Sequence, residues 1–333
     1  MRALILSAGL GERLRPLTEK RAKPAIEFLN VPMIGFPYYW LNTLDLADLV
    51  VNTHYLGETV REAARQVVRP YTQLHFTDEA TILGSGGGIW NAKAHLQNGS
   101  SFAVANGDGV VAFQQAGTLE SMRRFHQDKN ALATLLVCPL EGVGTRIPGV
   151  WMDTFGEVSG FGKESPKPYL QCFHYASYML LSDRVWKHLP DGPSNILYEV
   201  LQPLIQQGEK VYGYRVDDMR WFETGNASDF LTATQSCLEL LQGSSLMGQG
   251  LLALLTQLAP PFTQQSELGR QRLIDDSAQI SQKAQVKGFL VAGAQTVVEP
   301  GAVLEDCVLL PGARVQAHQV LKAQVISGHS PAA

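Results

Sequence analysis

The chain begins with a short apolar segment that runs directly into a loop rich in glycine and arginine. Residues 4–18 read Leu-Ile-Leu-Ser-Ala-Gly-Leu-Gly-Glu-Arg-Leu-Arg-Pro-Leu-Thr. We interpret residues 3–7 as a buried strand and Gly9 and Gly11 as the turn that follows it. Glycine permits positive φ and has no side-chain bulk, so backbone N–H groups in such a turn can point at an anion. If a helix follows, its N-terminus adds partial positive charge. Arg13 adds a planar, permanently charged donor. The stretch therefore predicts a phosphate-binding loop at the end of a strand.

The two commonest phosphate motifs do not describe this loop. A dinucleotide fingerprint requires a third glycine where this chain has Leu14. The chain also has no G-x-x-x-x-G-K-[ST] stretch. A dinucleotide-dependent oxidoreductase is therefore the weakest of the alternatives.

Further apolar segments along residues 1–242 predict an α/β domain. Segments 48–53, 101–105 and 133–138 have the length and composition of buried strands, and segments 33–44 and 59–68 have those of helices. Strands separated by helix-length segments indicate β-α-β units and a mainly parallel sheet. Ligands of such sheets bind at the carboxyl ends of the strands, so the loops after Ser7 and Ala105 should face the site.

The remainder of the chain has a different composition. We interpret residues 243–280 as a linker with one short helix, because a stretch rich in Gly, Ser and Gln opens it and Pro260-Pro261 would end the helix. Residues 281–328 show aliphatic side chains six positions apart, with Gly-Ala pairs between them, at Val291, Val297, Val303, Leu309, Val315 and Leu321. A six-residue period is typical of a hexapeptide β-helix, and an irregular β-meander is the alternative. We expect this tail to pack on the first domain or on another subunit.

Composition narrows the classes of partner. The hydrophobic fraction is 45%, the charged fraction 17% and the formal charge −4, so the chain has no general attraction to nucleic acid or anionic membranes. The four cysteines are widely spaced, which argues against a zinc site and a disulfide framework. No run approaches the length of a membrane span. We therefore expect a cytoplasmic protein that binds neither nucleic acid nor membrane.

The loop and its continuation resemble the sugar-1-phosphate nucleotidyltransferases. Their signature is an apolar strand, A-G-x-G-x-R-L-x-P-L-T, four or five residues, and then K-P. This chain matches it at Ala8, Gly9, Gly11, Arg13, Leu14, Pro16, Leu17, Thr18, Lys23 and Pro24. The resemblance implies a Rossmann-like three-layer domain followed by a short left-handed β-helix. It also implies that Ala8, Gly9, Gly11 and Arg13 bind the nucleotide, and that Arg13 and Lys23 act in catalysis.

The resemblance also implies a magnesium site. Asp108 lies in Asn106-Gly107-Asp108, directly after a predicted strand, where the family has a metal-binding aspartate. A second carboxylate is expected in the stretch Trp221-Phe222-Glu223-Thr224-Gly225-Asn226, where Glu223 stands in place of the usual aspartate. Oxygen ligands suit Mg²⁺, although the extra methylene of glutamate moves its oxygens outward by roughly one C–C bond.

Two further segments match the family less closely. The run Leu83-Gly84-Ser85-Gly86-Gly87-Gly88-Ile89 resembles the loop beside the nucleotide base, which assigns nucleotide binding to Gly86 and Gly87. We expect a loop there, followed by a helix at residues 90–95. Gly149, in Pro148-Gly149-Val150, matches a position on the sugar side and is assigned to substrate binding. The family's x-E-K-P is replaced by Lys163-Glu164-Ser165-Pro166, so recognition of the sugar is expected to differ.

The implied reaction couples a nucleoside triphosphate to a sugar 1-phosphate with Mg²⁺ and releases pyrophosphate. The tail resembles mannose-1-phosphate guanylyltransferases, whereas the Gly-Glu-Arg loop and the Gly-Gly-Gly-Ile stretch resemble N-acetylmuramate-1-phosphate uridylyltransferases. A non-catalytic regulatory or binding subunit with a decayed site is the alternative, because of Glu223 and the altered sugar motif. A short β-helix often mediates association, so a homo-oligomer is expected.

Overall fold

Strands and helices alternate through the first domain, as the sequence predicts. The structure is a computed structural model and describes residues 1–267 and 270–328. The first strands along the chain are β1 (Arg2–Leu6), β2 (Glu27–Phe28), β3 (Val31–Pro32), β4 (Asp48–Thr53), β5 (Gln73–Asp78), β6 (Phe102–Asn106), β7 (Val110–Phe113), β8 (Ala133–Cys138), β9 (Gly149–Met152), β10 (Val158–Gly162), β11 (Gln171–Leu181), β12 (Val211–Arg215) and β13 (Met219–Phe222). The α-helices are α1 (Gly35–Leu41), α2 (Gly57–Val67), α3 (Gly84–Asn91), α4 (Lys93–Leu96), α5 (Thr118–Asp128), α6 (Gln202–Gln206), α7 (Ala227–Gln242) and α8 (Leu246–Leu258).

The central sheet is mainly parallel. Its strands lie in the order β5, β4, β1, β6, β11, β8 and β12, and β9 and β10 continue from β11. Strand β1 is parallel to β4 and β6, and β8 is parallel to β12, whereas β11 runs antiparallel to both β6 and β8. The carboxyl ends of β1, β4 and β6 therefore meet at one edge of the sheet.

Apolar side chains on both faces of this sheet make the domain three-layered. In β1, Ala3 and Ile5 pack into one core while Leu4 packs into the other, because successive side chains of a strand point to opposite faces. Helices α1, α2, α5, α7 and α8 cover the first face, and α3, α4 and α6 cover the second. A strand buried on both sides needs an almost continuous apolar sequence, which is why these strands were recognisable.

The glycine run after β5 is a helix, and the expected loop is wrong. Helix α3 spans Gly84–Asn91, and the N–H of Gly86 donates to the carbonyl of Ser194 at 2.8 Å. A Cβ on Gly86 would lie 2.5 Å from Ser194 Oγ, and one on Gly87 would lie 2.5 Å from Gly192 O. The glycines therefore allow α3 to pack directly on the segment that holds Gly192 and Ser194.

The segment predicted as a linker contributes to the first core. Helix α8 has Leu251, Leu254 and Leu255 at 1%, 0% and 0% exposure, within the same core as α7. The region also contains strands β14 (Phe262–Glu267), β15 (Arg270–Asp275) and β16 (Gln279–Ile280). The domain boundaries at 242/243 and 280/281 stay predictions.

The tail is a stack of parallel strands. Its strands are β17 (Gln285–Ala292), β18 (Val297–Val298), β19 (Val303–Leu309), β20 (Arg314–Val315), β21 (Val320–Lys322) and β22 (Val325–Ile326). One sheet joins β15, β17, β19, β21 and β22, and a second joins β16, β18 and β20; every pair from β15 onward is parallel.

The six-residue period is present, but half of the predicted interior positions are displaced by one residue. The side chains in the tail's own core follow the series Ile274, Ile280, Val286, Ala292, Val298 and Leu304, and then Leu309, Val315 and Leu321. Val291 instead packs into the first domain's core, and Val297 and Val303 are only partly buried. Leu304 and Leu309 are five residues apart instead of six. The pairing register of β17 with β19 shifts by one residue after Lys287. At this shift Asp306 (φ 53°) accepts the N–H of Phe289 at 3.0 Å.

The tail packs firmly on the first domain. Side chains from both regions share one core, to which the tail and its preceding strands contribute Leu273, Phe289, Val291, Val308 and Leu310. The Asn30 side chain also donates to the carbonyl of Ala292 at 3.2 Å. Within residues 1–267 and 270–328, no helix is long and apolar enough to cross a membrane.

A buried histidine makes the fold sensitive to acid. His126, on α5, is 2% exposed, and its ring nitrogens lie 2.8 Å from Thr134 Oγ1 and 3.1 Å from Ser101 Oγ. Burial, assisted by the nearby charge of Arg184, lowers the pKa of His126 from 6.5 to about 4. The folded state therefore excludes a proton that the unfolded chain accepts below pH 6.5.

We predict that the free energy of unfolding falls as the pH drops from 6.5 towards 4, with a contribution of about 3 kcal/mol from His126. Urea denaturation at pH 7.5 and at pH 5 measures it. His126→Gln should reduce this pH dependence, whereas the exposed control His188→Gln should retain it. An undiminished dependence in His126→Gln would contradict the assignment.

Candidate active site

A cavity of about 450 Å³ opens at the sheet edge where β1 and β6 end. Its lining combines the glycine and arginine loop with residues from four other parts of the chain. The lining residues are Leu6, Ser7, Gly9, Leu10, Gly11, Glu12, Arg13, Lys23, Pro24, Ile82, Asp108 and Gly225. Gly9, Gly11, Arg13, Lys23 and Asp108, all predicted from the sequence, therefore surround one space.

Backbone and amide hydrogen bonds hold the loop at this edge. The N–H of Ser7 donates to Asn52 Oδ1 at 2.6 Å, and the N–H of Gly107 donates to the carbonyl of Leu6 at 2.8 Å. Gly11 has φ 63° and precedes a single 3-10 turn (Glu12–Leu14), and Thr18 Oγ1 donates to its carbonyl at 2.9 Å. A 3-10 turn and not an α-helix directly follows the loop, so the condition for support from a helix N-terminus is not met here.

Gly9 and Ala8 have different environments. A Cβ on Gly9 would meet no heavy atom within 4 Å, so its backbone faces open space in the cavity. Ala8 is 8% exposed and is not among the residues that line the cavity. Of the two, Gly9 leaves the room that a ligand needs to approach the backbone.

Lys23 and Asp108 form the central ion pair of the site. Lys23 Nζ lies 2.7 Å from Asp108 Oδ2; the lysine side chain is 10% exposed and the aspartate side chain 40%. The short turn Lys23–Ala25 places the lysine, and the end of β6 places the aspartate. Two residues that are 85 positions apart in the chain thus meet through the fold.

Glu223 reaches the same edge through the pairing of β7 with β13. These strands are antiparallel, with Phe222 opposite Val110, so the residue after Phe222 lies beside the segment that carries Asp108. A Cβ on Gly225 would lie 2.5 Å from Glu223 Oε1 and 2.9 Å from Arg13 Nη2. Because position 225 is glycine, the longer glutamate and the guanidinium have room as neighbours.

The donor set is compatible with Mg²⁺. Among the residues described, no three or more His, Cys, Asp or Glu side chains are grouped to hold a metal on their own. Magnesium at phosphate-transfer sites takes only one or two protein carboxylates and fills its other positions with phosphate oxygens and water. Asp108 and Glu223 can supply those carboxylates, and their role as ligands stays a prediction.

Three predicted glycines lie outside the cavity lining. Gly86 and Gly87 face Gly192 and Ser194, as described above. Gly149 is buried at the start of β9, where a Cβ would lie 2.4 Å from Val143 Cγ1 and 2.5 Å from Cys172 Sγ. Tight packing accounts for these glycines in the structure, and their roles in binding stay predictions.

Sequence reasoning missed a buried polar network behind the loop. Asn52 Nδ2 donates to Glu79 Oε1 at 2.6 Å, and Glu79 Oε2 accepts the N–H of Leu83 at 2.9 Å. Asn52 and Glu79 are 2% and 5% exposed. The polar Asn52 directly after the apolar residues 49–51 of strand β4 was the available signal. The network connects the loop end at Ser7 with the start of α3.

The sequence model of the Nucleotidyl transferase family matches residues 2–239, most of the chain. The chain belongs to the nucleotidyl transferase family. The match covers the loop, Lys23, Asp108 and Glu223, and hence every charged group of the cavity described above.

Named relatives of this nucleotidyl transferase are enzymes of nucleotide-sugar synthesis. Mannose-1-phosphate guanylyltransferase 1 of Arabidopsis thaliana is 25% identical, over 99% of this chain and 87% of the relative. Mannose-1-phosphate guanyltransferase of Gibberella zeae is 27% identical, with the same coverage. The fold is similar to UDP-glucose pyrophosphorylase from Acinetobacter baumanii, with a TM-score of 0.61, 16% identity, and 77% and 99% of the two chains covered.

The two loop glycines provide a matched test of this site. Gly11→Ala should destabilise the fold by about 1 kcal/mol or more, because a side chain is disfavoured at positive φ and would lie 2.9 Å from Thr18 Cγ2. Gly9→Ala should leave the stability unchanged but weaken binding of inorganic tripolyphosphate by about tenfold or more, since its methyl group displaces the anion from the backbone. Thermal denaturation and calorimetric titration measure the two effects. Equal tripolyphosphate affinity in Gly9→Ala and the wild type would exclude the loop as the phosphate site.

Proposed function

We propose that this nucleotidyl transferase joins a nucleoside triphosphate to a sugar 1-phosphate, with Mg²⁺, and releases pyrophosphate. The Lys23–Asp108 pair, which lines the cavity beside the glycine and arginine loop, is the observation that carries the proposal. It brings a candidate phosphate-binding cation and a candidate metal ligand together in one cavity. The names of the relatives support the sugar 1-phosphate as acceptor.

The reaction balances without a covalent enzyme intermediate. A phosphate oxygen of the sugar 1-phosphate attacks the α-phosphorus, a new P–O bond forms, and the bond to the bridging oxygen breaks as pyrophosphate leaves with its electron pair. The attacking oxygen is already anionic, so no strong general base is needed. Catalysis then consists of positioning and charge stabilisation.

Each residue has a distinct part in this scheme. The open backbone at Gly9 admits the triphosphate, and Arg13 and Lys23 bind its oxygens and offset charge on the departing pyrophosphate. Asp108 and Glu223 would hold Mg²⁺, which neutralises phosphate charge when bound. Gly225 leaves room for the Glu223 side chain.

Guanylyl transfer to mannose 1-phosphate is the first reaction to test, because the curated relatives named above carry that activity. Uridylyl transfer is the second candidate, and the fold of the Acinetobacter enzyme is compatible with it. The segment from Lys163 to Pro166, which departs from the family motif, is where we expect sugar recognition to differ.

We also propose that residues 281–328 form a left-handed hexapeptide β-helix that mediates homo-oligomerisation. The parallel ladders and the six-residue series of buried side chains support the β-helix. The sedimentation coefficient of the full chain, compared with that of a Val320→Lys variant at an exposed position of the tail, tests the association.

Asp108→Asn should reduce pyrophosphate release by about 100-fold or more, because the amide provides no charge for a metal. The variant should stay folded but melt at a lower temperature than the wild type, because Lys23 loses its counter-charge. The assay crosses four nucleoside triphosphates with a panel of sugar 1-phosphates. Near-normal release from the variant would refute the role of Asp108. Silence of the wild-type protein across the panel would instead favour the non-catalytic alternative.

Two substitutions of Glu223 separate the effect of its charge from the effect of its side-chain length. Glu223→Gln removes the charge and should lower turnover about 100-fold, whereas Glu223→Asp keeps it and should retain more activity at raised Mg²⁺. The dependence of the rate on Mg²⁺ concentration measures the difference. Equal activity of Glu223→Gln and the wild type would remove Glu223 from the metal site.

A further inference from the structure

Lys23 is the most buried charged group in the cavity, and it forms an ion pair with Asp108, the candidate metal ligand. Lys23 is 10% exposed at its side chain, and its Nζ lies 2.7 Å from Asp108 Oδ2. An ammonium group this far from water is costly unless a counter-charge accompanies it. Asp108 supplies that counter-charge, so one of its carboxylate oxygens is engaged by Lys23.

A second cation and a second carboxylate stand beside this pair. Arg13 Nη2 and Glu223 Oε1 both lie within 3 Å of the point where a Cβ on Gly225 would stand. These two cations and two carboxylates are equal in number, and Glu12, the other charged residue of the lining, lies 4.0 Å from Arg15. A free divalent cation at Asp108 would lie close to the like charge of Lys23. A triphosphate without a metal would lie close to the like charges of the two carboxylates. When both bind together, each charged group has a partner of opposite sign, because the metal can lie against the carboxylates while the phosphate oxygens lie against the two cations.

We propose that Lys23 closes the Asp108 site to a free divalent cation, so that the cation and the triphosphate bind as one unit while Lys23 moves from Asp108 to a phosphate oxygen. The proposal rests on the proposed function for the identity of the anion. Metal and triphosphate must then strengthen each other's binding by the same factor, and part of that coupling must depend on Lys23.

Manganese binding measured without any reaction tests this. Free Mn²⁺ is followed by electron paramagnetic resonance during titration, with and without inorganic tripolyphosphate, after correction for the complex formed in solution. Lys23→Met removes the charge at nearly constant length. Lys20→Met is the matched control, because Lys20 lies in the same segment but is exposed and outside the cavity lining. If Lys23→Met does not fold, Lys23→Gln replaces it in the same titrations.

The wild-type protein should bind Mn²⁺ weakly alone and much more tightly with tripolyphosphate. Lys23→Met should bind free Mn²⁺ about tenfold or more tightly than the wild type, because the like charge is gone, and should gain less from tripolyphosphate. Lys20→Met should behave as the wild type, and adding Asp108→Asn to Lys23→Met should abolish the gain.

Equal affinity of the wild type and Lys23→Met for free Mn²⁺ would overturn the inference, as would an equal gain in Lys20→Met. Failure of the proposed function has a different signature. A protein that releases no pyrophosphate from any substrate pair, yet shows the Lys23-dependent gain in Mn²⁺ affinity, would refute the transferase activity and uphold the coupling.

Discussion

The parallel pairing of β1 with β4 and β6 is the constraint on which the site depends. Leu6 is opposite Asn52 on one side and Asn106 on the other, so three strand ends coincide. The Ser7 N–H then bonds to Asn52, and the Gly107 N–H bonds to Leu6. Because these bonds are made by backbone and buried amide groups, the loop and Asp108 keep their relative positions before any ligand arrives.

Charge balance is the second constraint. The Lys23 side chain is largely buried and has Asp108 as its counter-charge, and Arg13 and Glu223 share the space left by Gly225. In the proposed reaction, the same four groups bind substrate and metal. The contact between Lys23 and Asp108 would then have to break when the proposed substrates bind.

Support for this edge extends into the regions predicted as linker and tail. The hairpin of β2 and β3 follows Lys23, and its Asn30 side chain bonds to the tail at Ala292. Phe28 of that hairpin packs edge-on against Phe230 of α7, the helix that follows Glu223 and Gly225, with ring centroids 5.2 Å apart. The segments that carry Lys23 and Glu223 thus pack against each other and on the tail, so the tail belongs to the structural support of the cavity.

Local pattern in the sequence determined the α/β class, strands β4 and β8, and the glycine loop at the end of β1. These features depend on neighbouring residues, through apolar runs and short fixed spacings. Lys23 and Asp108 were predicted through the resemblance to a family, and their roles stay predictions.

Only the tertiary structure decided that the glycine run is a helix, that the tail's interior positions shift by one residue before Leu309, and that Glu223 fits beside Arg13. Each outcome depends on atoms outside the segment concerned. The glycines of α3 pack on Ser194, and the register of the tail follows from the bond between Asp306 and Phe289. The position of the Glu223 side chain depends on the space that Gly225 leaves beside the Arg13 guanidinium. Steric room at a contact between distant segments cannot be read from either segment alone.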